Sequence, residues 1–146
     1  MCGVFGVLLD STAVLSHGHI GHVMADLLIC SQTRGQAASG VAIYDTRSVT
    51  VCKKPLPGTE FVRTSEWREL FRHVERQAGD PLVCLGHARL DTNSSKLVAN
   101  ENSPMQCGDM IGVHNGIIVN VDRVWEKYAG QVQRTRQVDS GPVVPN

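Results

Sequence analysis

The stretch from Met1 to Gly6, MCGVFG, places a cysteine directly behind the initiator methionine. Removal of Met1 would make Cys2 the first residue, so that its thiol and a free α-amino group would be carried by the same residue. An α-amino group has an ordinary pKa of about 7.7–8.0, so part of it is neutral at pH 7. It can then accept the thiol proton, which is the chemistry of a nucleophile with an adjacent base. The short apolar run Gly3–Leu9 is predicted to be a buried strand.

Composition and charge exclude several classes of protein. The chain has 146 residues, which fits one domain with a sizeable core. Its formal net charge is zero, with 14 basic and 14 acidic residues, so nothing indicates binding to nucleic acid or to an anionic membrane. The apolar run before Asp10 is too short for a signal peptide, and no run has the length of a membrane span. A cytoplasmic protein is therefore expected.

The five cysteines are Cys2, Cys30, Cys52, Cys84 and Cys107. An odd number at wide, irregular spacing argues against a disulfide framework. The absence of a C-x-x-C pair argues against structural zinc. Cys30, Cys52 and Cys84 lie in or beside apolar runs and are predicted to be small buried residues. Cys107 is predicted to lie in a loop.

Apolar periodicity predicts short strands mixed with helices. The predicted strands are 3–9, 40–45, 49–53, 81–86, 110–114 and 132–138. The predicted helices contain 20–28 and end near 32–35, contain 67–74 with Ser65 as the cap, and span 121–128. Residues 54–58 and 91–103 are predicted loops, and no completed element is expected after Pro142. This pattern indicates a mixed protein of sheet and helices, with several strands in hairpin order.

Four segments place polar side chains or glycines beside a predicted buried strand. They are MCGVFG (1–6), RGQAASG (34–40), GHARLDT (86–92) and VHNG (113–116). Each also has a purely structural interpretation. Cys2 can simply begin a strand, Arg34–Gly35 can end a helix, and Arg89 can be a surface arginine. Asn115–Gly116 between two apolar runs is typical of a hairpin turn.

The histidines are predicted to be structural. His87 and His114 each stand at a strand end, where a hydrogen-bonded structural histidine is commoner than a catalyst. His17, His19 and His22 are close in sequence, but their spacing does not place all three on one helical face. We therefore predict no metal site.

Together, these segments resemble the glutaminase domain of class II glutamine amidotransferases, which are N-terminal-nucleophile hydrolases. The matching segments are CGVFG (2–6), RGQAASG (34–40), GHARLDT (86–92), NSP (102–104) and HNG (114–116). RGQ and NSP look most like amidophosphoribosyltransferase, whereas HNGII looks more like glucosamine-6-phosphate synthase. The resemblance identifies the superfamily and leaves the member open.

The resemblance implies an α+β fold of the N-terminal-nucleophile type, a sandwich of antiparallel sheets flanked by helices (αββα), over residues 1–146. Family domains continue beyond the aspartate that Asp139 matches, so this glutaminase domain is expected to be minimal or incomplete at its C-terminus. Three places depart from the family pattern: Ala37 replaces an aspartate, Leu90 replaces an aromatic residue, and residues 93–95 replace a small or glycine-rich turn.

The resemblance further implies hydrolysis of the glutamine side-chain amide through a γ-glutamyl thioester on Cys2. The oxyanion of the tetrahedral intermediate would be held by the Asn115 side chain and the Gly116 backbone N–H. Arg89 would bind the substrate α-carboxylate through a two-pronged contact. The chemistry needs neither cofactor nor metal.

Three further roles follow from the same resemblance. Asp139 would hold the α-ammonium group of L-glutamine, Thr92 would line the same pocket, and Arg34 would orient the N-terminus. The ammonia would pass to a partner synthase subunit or to a missing domain.

Two alternatives remain open. The first is a catalytically silent glutamine-binding or regulatory module on the same scaffold, which the short chain and Ala37 favour. The second is an unrelated amidase of the same hydrolase superfamily, which Arg89 and Asp139 disfavour because together they suit an amino-acid substrate.

Overall fold

The structure, a computed structural model, describes residues 1–10, 12–13, 17–45, 48–72, 74, 80–90, 102–107, 110–130, 132–134 and 143–145. In chain order its strands and helices are β1 (Gly3–Leu9), α1 (His17–Ser31), β2 (Ala38–Tyr44), β3 (Val49–Lys54), α2 (Gly58–Phe61), α3 (Ser65–Arg72), β4 (Leu82–Arg89), β5 (Met105–Cys107), β6 (Met110–Gly112), α4 (Val121–Tyr128), β7 (Val132–Arg134) and β8 (Val143–Pro145). A 3₁₀ turn, Gln32–Arg34, follows α1. The protein is therefore of the α+β class. Within the described ranges, no helix is both long and apolar enough to cross a membrane.

The main sheet has four strands in the order β1-β4-β2-β3, with every neighbouring pair antiparallel. Strand β4 therefore lies between β1 and β2. Gly3 on β1 pairs with Ala88 on β4, and Ala38 on β2 pairs with Arg89 on β4. This register brings the beginnings of β1 and β2 to the end of β4.

One face of the sheet packs against α1, α2 and α3. Its buried side chains include Val41, Ile43, Leu82, Cys84 and Ala88 from the sheet and Ile20, Met24, Leu28, Phe61, Trp67, Leu70 and Phe71 from the helices. Phe61 and Trp67 meet edge to face, with ring centroids 5.3 Å apart. Aromatic pairs favour such an arrangement because the positive ring edge meets the negative face. The core on this face supports the main sheet and so fixes the positions of the residues on its opposite face.

Residues 102–104 lie against the opposite face of the sheet. A Cβ atom at Gly40 would stand 2.1 Å from the Ser103 carbonyl oxygen and 2.8 Å from Pro104 Cδ, so only glycine permits this approach. Lys53 Nζ also donates a hydrogen bond of 2.9 Å to the Asn102 carbonyl oxygen. The segment is thus held from two neighbouring strands.

The structure corrects several predicted elements. Strand β4 extends to Arg89 rather than ending at Gly86, because residues 86–88 are paired on both sides. The predicted strand 110–114 is limited to β6, which pairs with β5, an unpredicted strand containing Cys107. Asn115–Gly116 is not a hairpin turn, since the chain leads from β6 into α4. Strand β8 also contradicts the expectation that no element follows Pro142.

Smaller differences concern caps and cysteines. The Thr64 hydroxyl accepts a hydrogen bond of 3.2 Å from the Trp67 N–H, so Thr64, not Ser65, caps α3. Helix α2 begins at Gly58, within the predicted loop. Cys30 is exposed, contrary to prediction, whereas Cys84 is buried and burial raises the pKa of its thiol to about 12. Strand β7 fills the first part of the predicted strand 132–138, and the rest lies outside the described residues.

The contact at Gly40 predicts a contrast between two strand glycines. Gly40→Ala must displace the 102–104 segment and should lower the free energy of unfolding by about 1–3 kcal/mol. Gly112→Ala is the matched control, because a Cβ there has nothing within 4 Å and should change stability by no more than about 0.5 kcal/mol. Urea unfolding of both variants measures the difference. Equal stabilities would show that the segment does not pack on Gly40.

Candidate functional site

The β1–β4 register brings Cys2 to Arg89. Gly3 pairs with Ala88, so extending the ladder by one residue sets Cys2 opposite Arg89. Side chains at directly opposite positions of an antiparallel pair share a face of the sheet. This face is the one that the 102–104 segment covers. Two residues distant in sequence therefore lie together at one sheet edge.

Cys2 is held at its nitrogen, carbonyl and sulfur by three other segments. Its N–H donates a hydrogen bond of 2.9 Å to Asn115 Oδ1, and its carbonyl accepts one of 3.2 Å from Arg34 Nε. The Leu90 N–H lies 3.4 Å from Cys2 Sγ, and Cys2 Sγ lies 3.9 Å from the Leu90 carbonyl oxygen. A backbone N–H so placed can donate to a thiolate as it forms. The thiol is thus positioned by the chain itself.

The hydrogen bond from Cys2 determines how the Asn115 amide is turned. A backbone N–H or a protonated amine only donates, so the oxygen of Asn115 must face it. The NH₂ group of Asn115 then points away from the Cys2 nitrogen. The next residue, Gly116, packs closely on His114, since a Cβ at Gly116 would lie 2.7 Å from His114 Nε2.

The Arg34–Gly35 segment packs against the end of β4. Gly35 ends the 3₁₀ turn, and its N–H donates to the Gln32 carbonyl at 3.0 Å. A Cβ at Gly35 would stand 2.3 Å from the Arg89 carbonyl carbon and 2.5 Å from the Leu90 nitrogen. Ala37 N–H also donates to the Arg89 carbonyl at 2.9 Å. The glycine thus both ends the turn and permits close approach, which brings Arg34 to Cys2.

Arg89 is not a surface arginine, since it is only 5% exposed. Its Nη1 donates a hydrogen bond to the side-chain oxygen of Asn102, which is itself 1% exposed. The sequence does not predict this contact, because the NSP segment indicates only the family resemblance. Nor does it predict the Leu90 N–H donor, because a backbone donor leaves no signature in residue type.

His87 lies beside this site and is 3% exposed. Its pKa is lowered to about 4, chiefly by burial and also by the charges of Arg89 and His114, whereas interaction with the His114 backbone opposes the shift. His87 is consequently neutral at pH 7 and adds no charge beside Arg89.

The remaining predicted site residues, Thr92 and Asp139, lie outside the described residues. In the described part of the chain, no group of three or more histidine, cysteine or acidic residues is arranged to hold a metal ion. His19 and His22 are exposed on α1.

Comparison with family models and with curated proteins finds no match. Among solved structures, the chain is similar to one in a "Complex of beta-clamp processivity factor and little finger domain of PolIV". The TM-score is 0.39 at 18% sequence identity, over 63% of this chain and 93% of that chain. At this TM-score the similarity supports no conclusion about fold or function.

The depressed pKa of His87 predicts a pH-dependent stability. His87 binds a proton below a pH of about 6.5 in the unfolded state but only near pH 4 in the folded state. Between these pH values, protonation therefore favours the unfolded state. This contribution is fully present above about pH 6.5 and is lost as pH falls toward about 4. The stability of wild type relative to His87→Gln should fall by roughly 2–4 kcal/mol over that range. Urea unfolding at several pH values measures it.

His22→Gln is the matched control because His22 is exposed on α1. Its stability relative to wild type should stay constant over the same pH range. An equally flat difference for His87→Gln would contradict the burial of a neutral His87.

Proposed function

We propose that this chain is a glutaminase domain of the class II glutamine amidotransferase type, with the αββα fold of N-terminal-nucleophile hydrolases. It would hydrolyse the side-chain amide of L-glutamine with Cys2 as the N-terminal nucleophile, after removal of Met1. The observation that carries the proposal is the hydrogen bond of 2.9 Å from the Cys2 nitrogen to Asn115 Oδ1, beside a buried Arg89. The proposal joins a potential nucleophile, an amide donor and a carboxylate-binding cation at one sheet edge.

The proposed reaction uses the two functional groups of the processed Cys2. Its α-amino group takes the thiol proton, and Sγ forms a bond to the amide carbon of glutamine. The tetrahedral intermediate then loses its C–N bond, and the amino group returns the proton to the departing ammonia. Water adds to the resulting thioester, the C–S bond breaks, and glutamate leaves with the thiol restored. The Leu90 N–H, which lies beside Cys2 Sγ, would stabilise the thiolate before it attacks and as the C–S bond breaks.

Asn115 and Gly116 would stabilise the oxyanion. Because the Asn115 oxygen accepts from the Cys2 nitrogen, its NH₂ is left as a donor for the substrate. A carboxamide bound at Cys2 Sγ would place its oxygen between that NH₂ and the Gly116 N–H. Donors fixed before the reaction stabilise the developing charge without reorganisation.

Arg89 would bind the substrate α-carboxylate, and the proposed contacts of Asp139 and Thr92 would complete the amino-acid pocket. A guanidinium group suits this role because its two parallel N–H groups match the two carboxylate oxygens. The ammonia would be used by a partner synthase subunit or by a further domain in the cytoplasm.

The catalytic proposal predicts that ammonia release depends on Cys2 alone among the thiols. Wild-type protein should release ammonia from L-glutamine, and Cys2→Ala should lose at least about 10³-fold in kcat because no other group replaces the nucleophile. Cys30→Ala, which removes an exposed thiol, is the matched control and should retain wild-type activity. A coupled assay with glutamate dehydrogenase measures the ammonia.

Two further measurements separate catalysis from a silent glutamine-binding module. Mass spectrometry of the natural protein should show that Met1 is removed. A diazoketone analogue of glutamine should label Cys2 and leave Cys30 unmodified. The silent module would be established instead by three outcomes together. Met1 would be retained, wild type and Cys2→Ala would release equal amounts of ammonia, and glutamine would bind without being hydrolysed.

The oxyanion role predicts a specific loss at Asn115. Asn115→Ala should lower kcat by roughly 10²–10³-fold, because it removes one donor to the tetrahedral intermediate. Asn120→Ala is the matched control, since Asn120 lies at the start of α4 and makes no capping hydrogen bond with its side chain. Steady-state kinetics with L-glutamine measure both variants. A kcat for Asn115→Ala within twofold of wild type would exclude the role.

A further inference from the structure

We infer that Asn102 is a positioning residue that sets the orientation of Arg89 for the substrate carboxylate, and that Lys53 holds Asn102 in place. This inference rests on the proposed function, since it names how the substrate-binding cation of that site is oriented. Arg89, Asn102 and Lys53 belong to three segments that the fold brings together on one face of the sheet.

The Arg89–Asn102 contact is buried and directional. Arg89 Nη1 lies 2.5 Å from Asn102 Oδ1, and the two residues are 5% and 1% exposed. Guanidinium nitrogens only donate, so the oxygen of the Asn102 amide must face Arg89. This hydrogen bond fixes one N–H group of the planar Arg89 guanidinium and so restricts the orientation of the guanidinium plane. A bidentate contact with a carboxylate requires that restriction, because both N–H groups must point to the same ligand.

The absence of charge on the Asn102 side chain is as important for the proposed role as the direction of its hydrogen bond. An aspartate in the same place would form an ion pair with Arg89 and compete with the substrate carboxylate for it. The amide oxygen of Asn102 instead orients the guanidinium without adding a negative charge beside it. His87, neutral at pH 7 because burial lowers its pKa to about 4, agrees with this arrangement by adding no competing charge.

The backbone of Asn102 is itself anchored. Lys53 Nζ donates to the Asn102 carbonyl at 2.9 Å, and the following residue, Ser103, packs against Gly40 of β2. The side chain of Asn102 therefore extends from a segment that β2 and β3 hold on the sheet. Loss of the Lys53 contact would loosen Asn102 and, through it, the plane of Arg89.

This role predicts an effect on substrate affinity rather than on bond breaking. Asn102→Ala should raise KM for L-glutamine roughly 10–100-fold, the range for a lost hydrogen bond to a charged group, and leave kcat within about threefold. Asn102→Asp, which preserves the side-chain shape, should raise KM at least as much because it neutralises Arg89. The Kd of L-glutamate, measured by calorimetry in the Cys2→Ala background, should rise in parallel.

A substrate without the α-carboxylate distinguishes positioning from general damage. With 4-aminobutanamide, which has the glutamine amide but no carboxylate, Asn102→Ala should leave kcat/KM within about threefold of wild type. In the Arg89→Ala background, adding Asn102→Ala should have no further effect on glutamine, because the two residues act as one unit. Equal losses with both substrates, or an unchanged KM for glutamine, would overturn the inference.

Neighbouring lysines on β3 supply a matched control for the anchor. Lys53→Met should raise KM for glutamine, whereas Lys54→Met should not, since Lys54 instead pairs with Glu66 on α3. Equal KM values for the two variants would remove Lys53 from the inference. Absence of glutamine hydrolysis by wild type would refute the proposed function itself. A wild type that turns over glutamine while Asn102→Ala shows an unchanged KM would refute only the positioning role.

Discussion

The site depends first on the antiparallel register between β1 and β4. Shifting an antiparallel pair by one residue moves every side chain of the strand to the other face, so a slip would take Cys2 away from Arg89. The pair Phe5–Gly86 resists such a slip, because a Cβ at Gly86 would lie 2.1 Å from the Phe5 ring. Only glycine fits beneath this ring, and the neighbouring positions of β4 are occupied by larger residues. Packing in the core thus determines which residue faces Cys2.

Main-chain atoms provide much of the contact at Cys2. Its carbonyl accepts from Arg34, and its sulfur lies beside the Leu90 N–H, which directly follows β4. A backbone N–H that directly follows a paired strand has little freedom to move, so it positions a thiol more rigidly than a flexible side chain would. The approach of Gly35 to the Arg89 carbonyl carbon brings these donors together. The segments that contain Arg34 and Leu90 therefore meet at Cys2 because their backbones pack closely at Gly35.

Much of the secondary structure follows from apolar periodicity, which is a local signal, whereas the grouping of Cys2 with Arg34, Arg89 and Asn115 is implied only by the resemblance of the matching segments to a known family. Three features do not follow from the sequence. Strand β5 is too short for periodicity to indicate, the Thr64 cap competes with an equally suitable neighbour, and the Asn102 contact joins residues whose types give no sign of pairing. Such features depend on which segments pack on the sheet, and tertiary structure alone determines that.

A buried arginine carries positive charge at the site. The chain has no net charge, yet Arg89 lies buried beside a neutral amide from Asn102 and a neutral His87. A buried cation is costly unless hydrogen bonds, an opposite charge or a ligand stabilise it. In the proposed site a substrate carboxylate would complete that stabilisation, and discrimination for an amino acid over other carboxylates would then require an acid for the ammonium. Asp139 is the proposed source of that acid, so affinity and specificity would come from different segments of the chain.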